Sequence, residues 1–583
     1  MSAKSLIIIL AALIVGLCAG AAWAELKLEV RIDGVDEEEL ENIKAYLEIE
    51  QEKDDPELNT KWLKRLHSHA PTQIREALQP YGYFSTTVES SLSEEASGWV
   101  ARYQVEPGPK THVAEVTLRV TGAGAEEPGI KEAIAAFPVK KGDVLDSDVY
   151  ETGKEKLLEV VAGLGYAKAK TVIHSIRVNP DRNEAIINLE VDTGPKYFMG
   201  PLTFEQDVLN QDFLDRYVHI KPGDVYSQEG LLSLQSDLVG TRYFSLVDVK
   251  PDFDRVEDLK VPVDVELEAA NRHKLEFGLG YYSDIGPTGT VNWRLRPSNR
   301  RGHFIDTLIK LSPVKSIARF GYWIPVRDPR TDNMVFTAKY VFEDSTSQKR
   351  ETAELLGGYY FLWKEWDTRL FGELKQETFT TGSQPETTSL ILSWGGTLER
   401  TQVKEGDPFP TRGNYWFLDL TGSAGVVSDT AYLRGHVKTK HLVPLGERGR
   451  LSLRGELGLA EVSDFEKYPS SSRFYAGGDQ SVRGYEYQAL GPRDAAGDVV
   501  GGKNIFTSSV EYNYRFLDQW VAAAFIDVGN AYNDELDKLF YSGGLGGRWL
   551  SPIGAVRLDL GLPGNPDEDM DSWRIHFGFG AEL

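Results

Sequence analysis

From His273 to Leu583 the chain is written in short segments whose apolar residues recur at every second position, separated by Gly, Pro, Asn and Asp turns. Such alternation places successive side chains on opposite faces of a strand. In the first segment Leu275, Phe277, Leu279 and Tyr281 share a face. In the last, Trp573, Ile575, Phe577, Phe579, Ala581 and Leu583 share one, with His576, Gly578, Gly580 and Glu582 opposite. The polar faces carry charges such as Glu276, Arg434 and Lys438, which the dry core of a soluble β-sandwich does not accept. An apolar exterior around a polar interior is the pattern of an all-β, antiparallel transmembrane barrel. At about 20 residues per strand plus turn, residues 272–583 hold about sixteen strands, an even number. Past the amino-terminal apolar run no stretch approaches the ~18 apolar residues of a membrane helix, so a closed barrel is the remaining way across a bilayer.

Residues 1–24 form a secretory signal: Lys4, an apolar run from Leu6 to Leu17, then small residues ending in Ala22-Trp23-Ala24, with cleavage expected before Glu25. Bulky Leu17 disfavours a lipoprotein anchor at Cys18. That cysteine is the chain's single one, so the mature part has neither disulfides nor thiol chemistry. A formal charge of −24 with no Lys/Arg block excludes attraction to phosphate backbones, and nucleic acid is not an expected partner.

From Leu26 to about Asn271 strands alternate with amphipathic helices, and one order of elements recurs. Tyr83-Phe84, Tyr166-Ala167 and Tyr243-Phe244 begin matching strands at intervals of about 80 residues. Val105-Glu106-Pro107-Gly108-Pro109-Lys110 parallels Val191-Asp192-Thr193-Gly194-Pro195-Lys196, and Lys141-Gly142-Asp143-Val144 parallels Lys221-Pro222-Gly223-Asp224-Val225. Three copies of an α+β unit, βααββ, follow over 25–108, 109–195 and 196–271. Asp36 with Glu39 caps one helix, and Ser147 and Ser227 are the expected N-caps of the later second helices. Each copy leaves a sheet edge that an extended segment can join. His67 and His69 are expected on the surface, and neither a metal nor a cofactor is expected.

Within the barrel half, a long interruption over about 464–503 holds Val482, Arg483, Gly484 and Tyr485. Two later segments each set one carboxylate among apolar residues: Glu511 in Val510-Glu511-Tyr512 and Asp527 in Ile526-Asp527-Val528. Alternation turns both toward the interior, where a loop folded inward would give them a guanidinium partner.

Val482-Arg483-Gly484-Tyr485 resembles the V-R-G-F/Y signature of the BamA/TamA outer-membrane assembly-factor superfamily, and the triplicated unit resembles its POTRA (polypeptide-transport-associated) modules. Phe525-Ile526-Asp527-Val528-Gly529, Gly501-Gly502 with Glu511, Phe409-Pro410-Thr411-Arg412-Gly413 and Arg548-Trp549-Leu550-Ser551-Pro552-Ile553-Gly554 are similar to further motifs of that family. Three modules is the number of its TamA-like branch, the outer-membrane subunit of a translocation and assembly module. BamA-like members carry more, and two-partner-secretion transporters fewer.

The resemblance implies a non-enzymatic assembly factor in the bacterial outer membrane, its POTRA modules in the periplasm. Its implied partners are a TamB-like protein anchored in the inner membrane, unfolded outer-membrane clients such as autotransporters, and outer-membrane lipid. Arg483 is the expected clamp of the loop, with Asp527 and Glu511 as acceptors. Leu275, Phe277 and Leu279 of the first strand and Gly578, Phe579 and Gly580 of the last are the expected lateral gate, glycines in a strand permitting a kink. A BamA-like or two-partner-secretion translocator is the alternative. A passive porin has no use for three modules, and Ser312-Pro313-Val314-Lys315 fits S-x-x-K without the companion motifs of a catalytic site.

Overall fold

The computed structural model describes residues 26–96, 98–403, 409–551, 554–567 and 572–580. Residues 1–24, expected to be the secretory signal, and Leu583 lie outside them. The chain forms two compact units, one of Met1–Leu202, Ile220–Leu231 and Pro251–Val263, the other of Thr203–His219, Leu232–Lys250 and Asp264–Leu583.

The first module runs β1 (Leu28–Asp33), α1 (Glu37–Tyr46), α2 (Glu48–Gln51), α3 (Thr60–Leu78), β2 (Thr87–Glu95) and β3 (Gly98–Glu106), with sheet order β1-β3-β2. Glu39 Oε2 accepts the Asp36 N–H at 3.1 Å and Asn59 Oδ1 accepts that of Trp62 at 3.0 Å, satisfying donors that the two helix starts leave free. Apolar faces of the helices, with Ile43, Leu63, Ile74 and Leu78, close on Ala101, Tyr103 and Val105 of β3. His67 is half-buried there, contrary to its expected surface position, with Nδ1 2.9 Å from the Tyr103 hydroxyl. Burial holds its imidazole below the ordinary histidine value.

The second module repeats the plan with β4 (His112–Thr121), α4 (Pro128–Ala135), α5 (Ser147–Gly163), β5 (Lys170–Asn179) and β6 (Glu184–Asp192), ordered β4-β6-β5. The third has β7 (Phe198–Glu205), α6 (Gln211–Leu214), α7 (Gln228–Gly240), β8 (Phe244–Pro251) and β9 (Lys260–Ala269), ordered β7-β9-β8. In each copy the last strand takes the centre and leaves two edges.

Two local expectations are corrected. Asp146, not Ser147, caps α5: its Oδ1 accepts the Asp148 and Val149 N–H groups at 2.9 and 3.0 Å, leaving Ser147 as the first helical residue. Ser227 does sit before α7, its hydroxyl accepting the Gly230 N–H at 3.0 Å. Of the three tyrosine pairs, Phe244 opens β8, but β2 and β5 start only at Thr87 and Lys170. Tyr83 and Tyr166 instead close the preceding helices, donating their N–H groups to Leu78 and Val161 carbonyls at 3.3 Å. The residues before them, Gly82 and Gly165, have φ of 91° and 96°, a left-handed helix stop that glycine takes without steric cost. Arg242 holds the matching place in the third copy at φ 58°.

Sixteen strands, from β10 (His273–Tyr282) to β25 (Arg574–Gly580), form one antiparallel sheet in which each strand pairs with its sequence neighbours. Strand height varies: β15 (Gln348–Trp363) and β17 (Thr387–Val403) have 16 and 17 residues, whereas β10 has 10 and β25 has 7. Ser312-Pro313-Val314-Lys315 is a turn. The Ser312 hydroxyl donates to the Lys315 carbonyl at 2.8 Å, and Lys315 Nζ reaches Glu343 at 3.0 Å. Within the same unit, the Phe213 ring lies on Gly302, where a Cβ would come within 2.1 Å of it, and Arg330 pairs with Asp237 at 2.8 Å.

The left-handed stop at Gly165 generates a prediction. Gly165→Ala forces a Cβ into that conformation and destabilises the second module by about 1–2 kcal/mol, read as a lower urea midpoint for residues 26–271 by circular dichroism. An unchanged midpoint contradicts the assignment.

Candidate functional site

Between β20 (Gly449–Val462) and β21 (Asn504–Leu517) the chain leaves the wall for residues 463–503 and folds into the barrel. Apolar loop residues Phe474, Ala476, Val482, Tyr485 and Leu490 pack on Ile505, Ala531 and Phe540 of the strands' inner faces. This packing carries Arg483 to the wall, where it is 4% exposed.

Glu511 lies on β21 and Asp527 on β22 (Trp520–Tyr532). The alternation of β22 turns Ile526 outward and Asp527 inward, fully buried. Arg483 Nε and Nη2 donate to Asp527 Oδ2 and Oδ1 at 2.8 and 2.9 Å, and its backbone N–H adds a third bond to Oδ2 at 3.0 Å. Its Nη1 donates to Glu511 Oε2, and Nη2 to the Ser509 hydroxyl at 3.2 Å. The Phe525 ring lies under the guanidinium, 3.5 Å from its central carbon. Two members of this cluster escaped the sequence reading of the site. Asp559 of β24 (Gly554–Pro563) lies 3.3 Å from Arg483 Nη1. Arg548 of β23 (Phe540–Ser551), 1% exposed, bridges Asp559 at 2.5 Å and Glu511 at 3.1 Å. Asp559 sits between Leu558 and Leu560, the same signature of one carboxylate among apolar residues that singled out Asp527. Three carboxylates around two guanidiniums pair charges that would each cost several kcal/mol if buried alone.

The neighbours of Arg483 fix the loop's course. Gly484 (φ 95°) rests on β24 so closely that a Cβ on Gly561 would stand 2.5 Å from its nitrogen. The Tyr485 hydroxyl donates to the Tyr541 carbonyl at 3.1 Å. Val482 is buried in the apolar cluster. Farther along, Asp494 accepts the Ser383 hydroxyl and backbone N–H at 2.7 and 2.9 Å. These bonds hold its exposed carboxyl down at about 2.

At the seam, β10 pairs with β11 (Gly286–Leu295) through all ten of its residues, His273 to Tyr282. β25 pairs with β24 from Arg574 to Gly580. Among the described residues no ladder joins β10 to β25. Instead the Ser283 N–H donates to the Phe577 carbonyl at 3.2 Å, the Phe577 N–H points to the Ser283 hydroxyl at 3.3 Å, and the Tyr281 and Phe577 rings lie 5.8 Å apart. Leu275, Phe277 and Leu279 face outward, the last two 76% and 88% exposed. Gly578 points inward, where a Cβ would meet Arg557 at 3.0 Å. Phe579 is half-buried, and Gly580 ends β25 opposite Ala555.

Two predictions follow from the loop. Arg483→Ala leaves buried carboxylates unpaired and costs about 3–5 kcal/mol, seen as a lower temperature for the heat-modified gel shift. Arg483→Lys does not restore it, because an ammonium lacks the fork that spans Asp527; wild-type behaviour of either variant contradicts the geometry. For Asp494, the bound carboxyl titrates below its unfolded value of about 3.9. Its contribution is therefore present above that value and lost as pH falls through about 2. A spin label at Ala496 stays ordered from neutral pH down to about 4 and loosens toward 2; loosening already at pH 5 contradicts it.

Residues 333–583 match the model of the Omp85 superfamily domain, and residues 29–107 that of POTRA domain TamA domain 1. An outer membrane protein assembly factor BamA from Nitratidesulfovibrio vulgaris is 24% identical over 86% of this chain and 66% of its own length. A BamA from Neisseria meningitidis is 26% identical over 23% of this chain and 22% of its own. The crystal structure of BamA from Haemophilus ducreyi lacking POTRA domains 1–3 shares the fold, with a TM-score of 0.70 and 17% identity over 80% of this chain and 99% of that one. The chain thus spans 66% of the first relative's length. The chain is thus a sixteen-strand barrel whose residues 333–583 match the Omp85 superfamily domain, preceded by POTRA-type modules of which the first matches a TamA POTRA domain, an arrangement similar to that of BamA that sits in the bacterial outer membrane with its modules in the periplasm.

Proposed function

We propose that this protein inserts and assembles other proteins into the outer membrane, with autotransporters and other barrel proteins as clients and a TamB-like, inner-membrane-anchored protein as partner. The observation that carries the proposal is the seam. Backbone N–H and C=O groups unpaired at membrane depth cost several kcal/mol each. The edge of β10 that faces away from β11 has no ladder partner among the described residues.

A client strand supplies what is missing. It enters from the periplasmic side, pairs with this edge and passes laterally into lipid, so Leu275, Phe277, Leu279, Gly578, Phe579 and Gly580 act as the gate. Short strands beside the opening keep the hydrophobic wall low there, which eases the transfer. The modules, 25–108, 109–195 and 196–271, deliver the client by adding its extended segments to their free sheet edges. Arg483 acts as the clamp, with Asp527 and Glu511 as acceptors, and keeps the loop and wall rigid while the seam gives way. The name of the BamA relatives as assembly factors supports this chemistry, and their 24–26% identity favours a BamA-like role as the alternative. Recovery of a long, β-rich inner-membrane protein with the periplasmic modules supports the TamB-like pairing; recovery of small lipoproteins supports the alternative.

The direct test replaces Tyr281 and Phe577 by cysteines in a mature chain that otherwise has none. Oxidation reduces assembly of an autotransporter client to background and reductant restores it. Full assembly with the seam covalently closed overturns the proposal.

A further inference from the structure

The loop touches both sides of the seam, the last strand through a histidine and the first hairpin through an aspartate. His576, on β25 and 2% exposed, has Nε2 3.1 Å from the backbone nitrogen of Gly484. An amide nitrogen only donates, so Nε2 accepts and the ring proton resides on Nδ1. Nδ1 faces Asp284 Oδ1 at 3.6 Å, across the seam in the turn between β10 and β11. The second oxygen of Asp284 accepts the backbone N–H of Asp479, again from the loop, at 2.9 Å. The contacts run in sequence: loop residue Gly484 is bonded to last-strand His576, His576 faces first-hairpin Asp284 across a 3.6 Å electrostatic contact longer than a hydrogen bond, and Asp284 is bonded to loop residue Asp479. Their chain neighbours, Ser283 in the same turn and Phe577 on β25, make the backbone bond that crosses the seam at this end.

We propose that the His576 imidazole and the Asp284 carboxylate form a latch by which the inward loop holds the first hairpin against the last strand. Opening of the seam at this end then requires release of the loop tip, and removal of the loop's grip loosens the seam. The two strands are joined here by few bonds of their own, so the loop's two N–H groups are a large part of what binds them. The loop side is itself anchored by Arg483 one residue before Gly484. The latch thus connects a strongly held element to a weakly closed one. It deepens the proposed function, since it rests on the seam being the part that opens, but it concerns the resting barrel alone.

The test uses the full chain in phospholipid vesicles, with spin labels on Leu279 and Ile575, which face outward on the two strands, and with protease cleavage within residues 463–503 as the measure of loop release. His576→Ala lengthens the label separation and raises loop cleavage several-fold together. His576→Gln, whose amide accepts from Gly484 and donates toward Asp284, returns both toward wild type. A released loop with an unchanged seam, or a glutamine variant no better than alanine, overturns the latch. Should His576→Ala not fold, Asp284→Ala decides on the same readouts: it lies in a turn and removes only the first-hairpin side, so an unaltered label separation overturns the proposal. Because neither readout involves a client, failure of the latch leaves the assembly proposal standing, and failure of assembly leaves the latch to be judged on its own distances.

Discussion

A bilayer core offers no water to a backbone N–H or C=O, and this one deficiency shapes the second half of the chain. Each wall strand passes its polar groups to two neighbours. Only β10 and β25 have a side without a ladder among the described residues. The cost of that gap is several kcal/mol per unpaired group at membrane depth, far above the net worth of an ordinary hydrogen bond in water. Among the described residues it is retained at the seam alone, beside the seven-residue β25 and next to the residues that bind the inward loop.

The opposite arrangement holds a few strands away. Arg483, Arg548, Glu511, Asp527 and Asp559 are buried charges, costly one by one, that satisfy one another through bidentate and bridging contacts. Four consecutive strands, β21 to β24, contribute to the cluster, and the loop contributes the arginine at its centre. The barrel therefore has a stiff sector and a weak seam side by side, with His576 and Asp284 between them. Rigidity next to a single compliant edge confines deformation to that edge, as the proposed opening toward the membrane requires.

Much of this was legible in the sequence because strands have a period of two. That period turns Asp527 and Glu511 to one side and Ile526, Val510 and Tyr512 to the other, and a planar cation in the long interruption then has two natural partners. The same logic extends to Asp559 between Leu558 and Leu560, but a carboxylate in a short strand near the end of the chain carries no mark of which loop residue it meets. Arg548 stood within a recognisable motif, yet its bond to Asp559 depends on the register of β23 with β24, which alternation alone does not set. His576 was placed on the inner face, but its contact with Gly484 arises from a loop course fixed by tertiary packing. In the modules the repeats were plain. The tyrosines after Gly82 and Gly165 recur in register with Tyr243, just before β8, and so look like strand starts, whereas the glycines use them to end helices. Asp146 took the cap from Ser147 because its carboxylate reaches two free N–H groups at once.

The central claim is that β10 has a ladder on one side only. Hydrogen–deuterium exchange resolved to single amides, on the full chain in lipid, tests it most directly. The account predicts that the amides between Lys274 and Tyr281 that point away from β11 exchange rapidly while those pointing toward β11 are protected like the rest of the wall. Uniform slow exchange along both sides of β10 would contradict it.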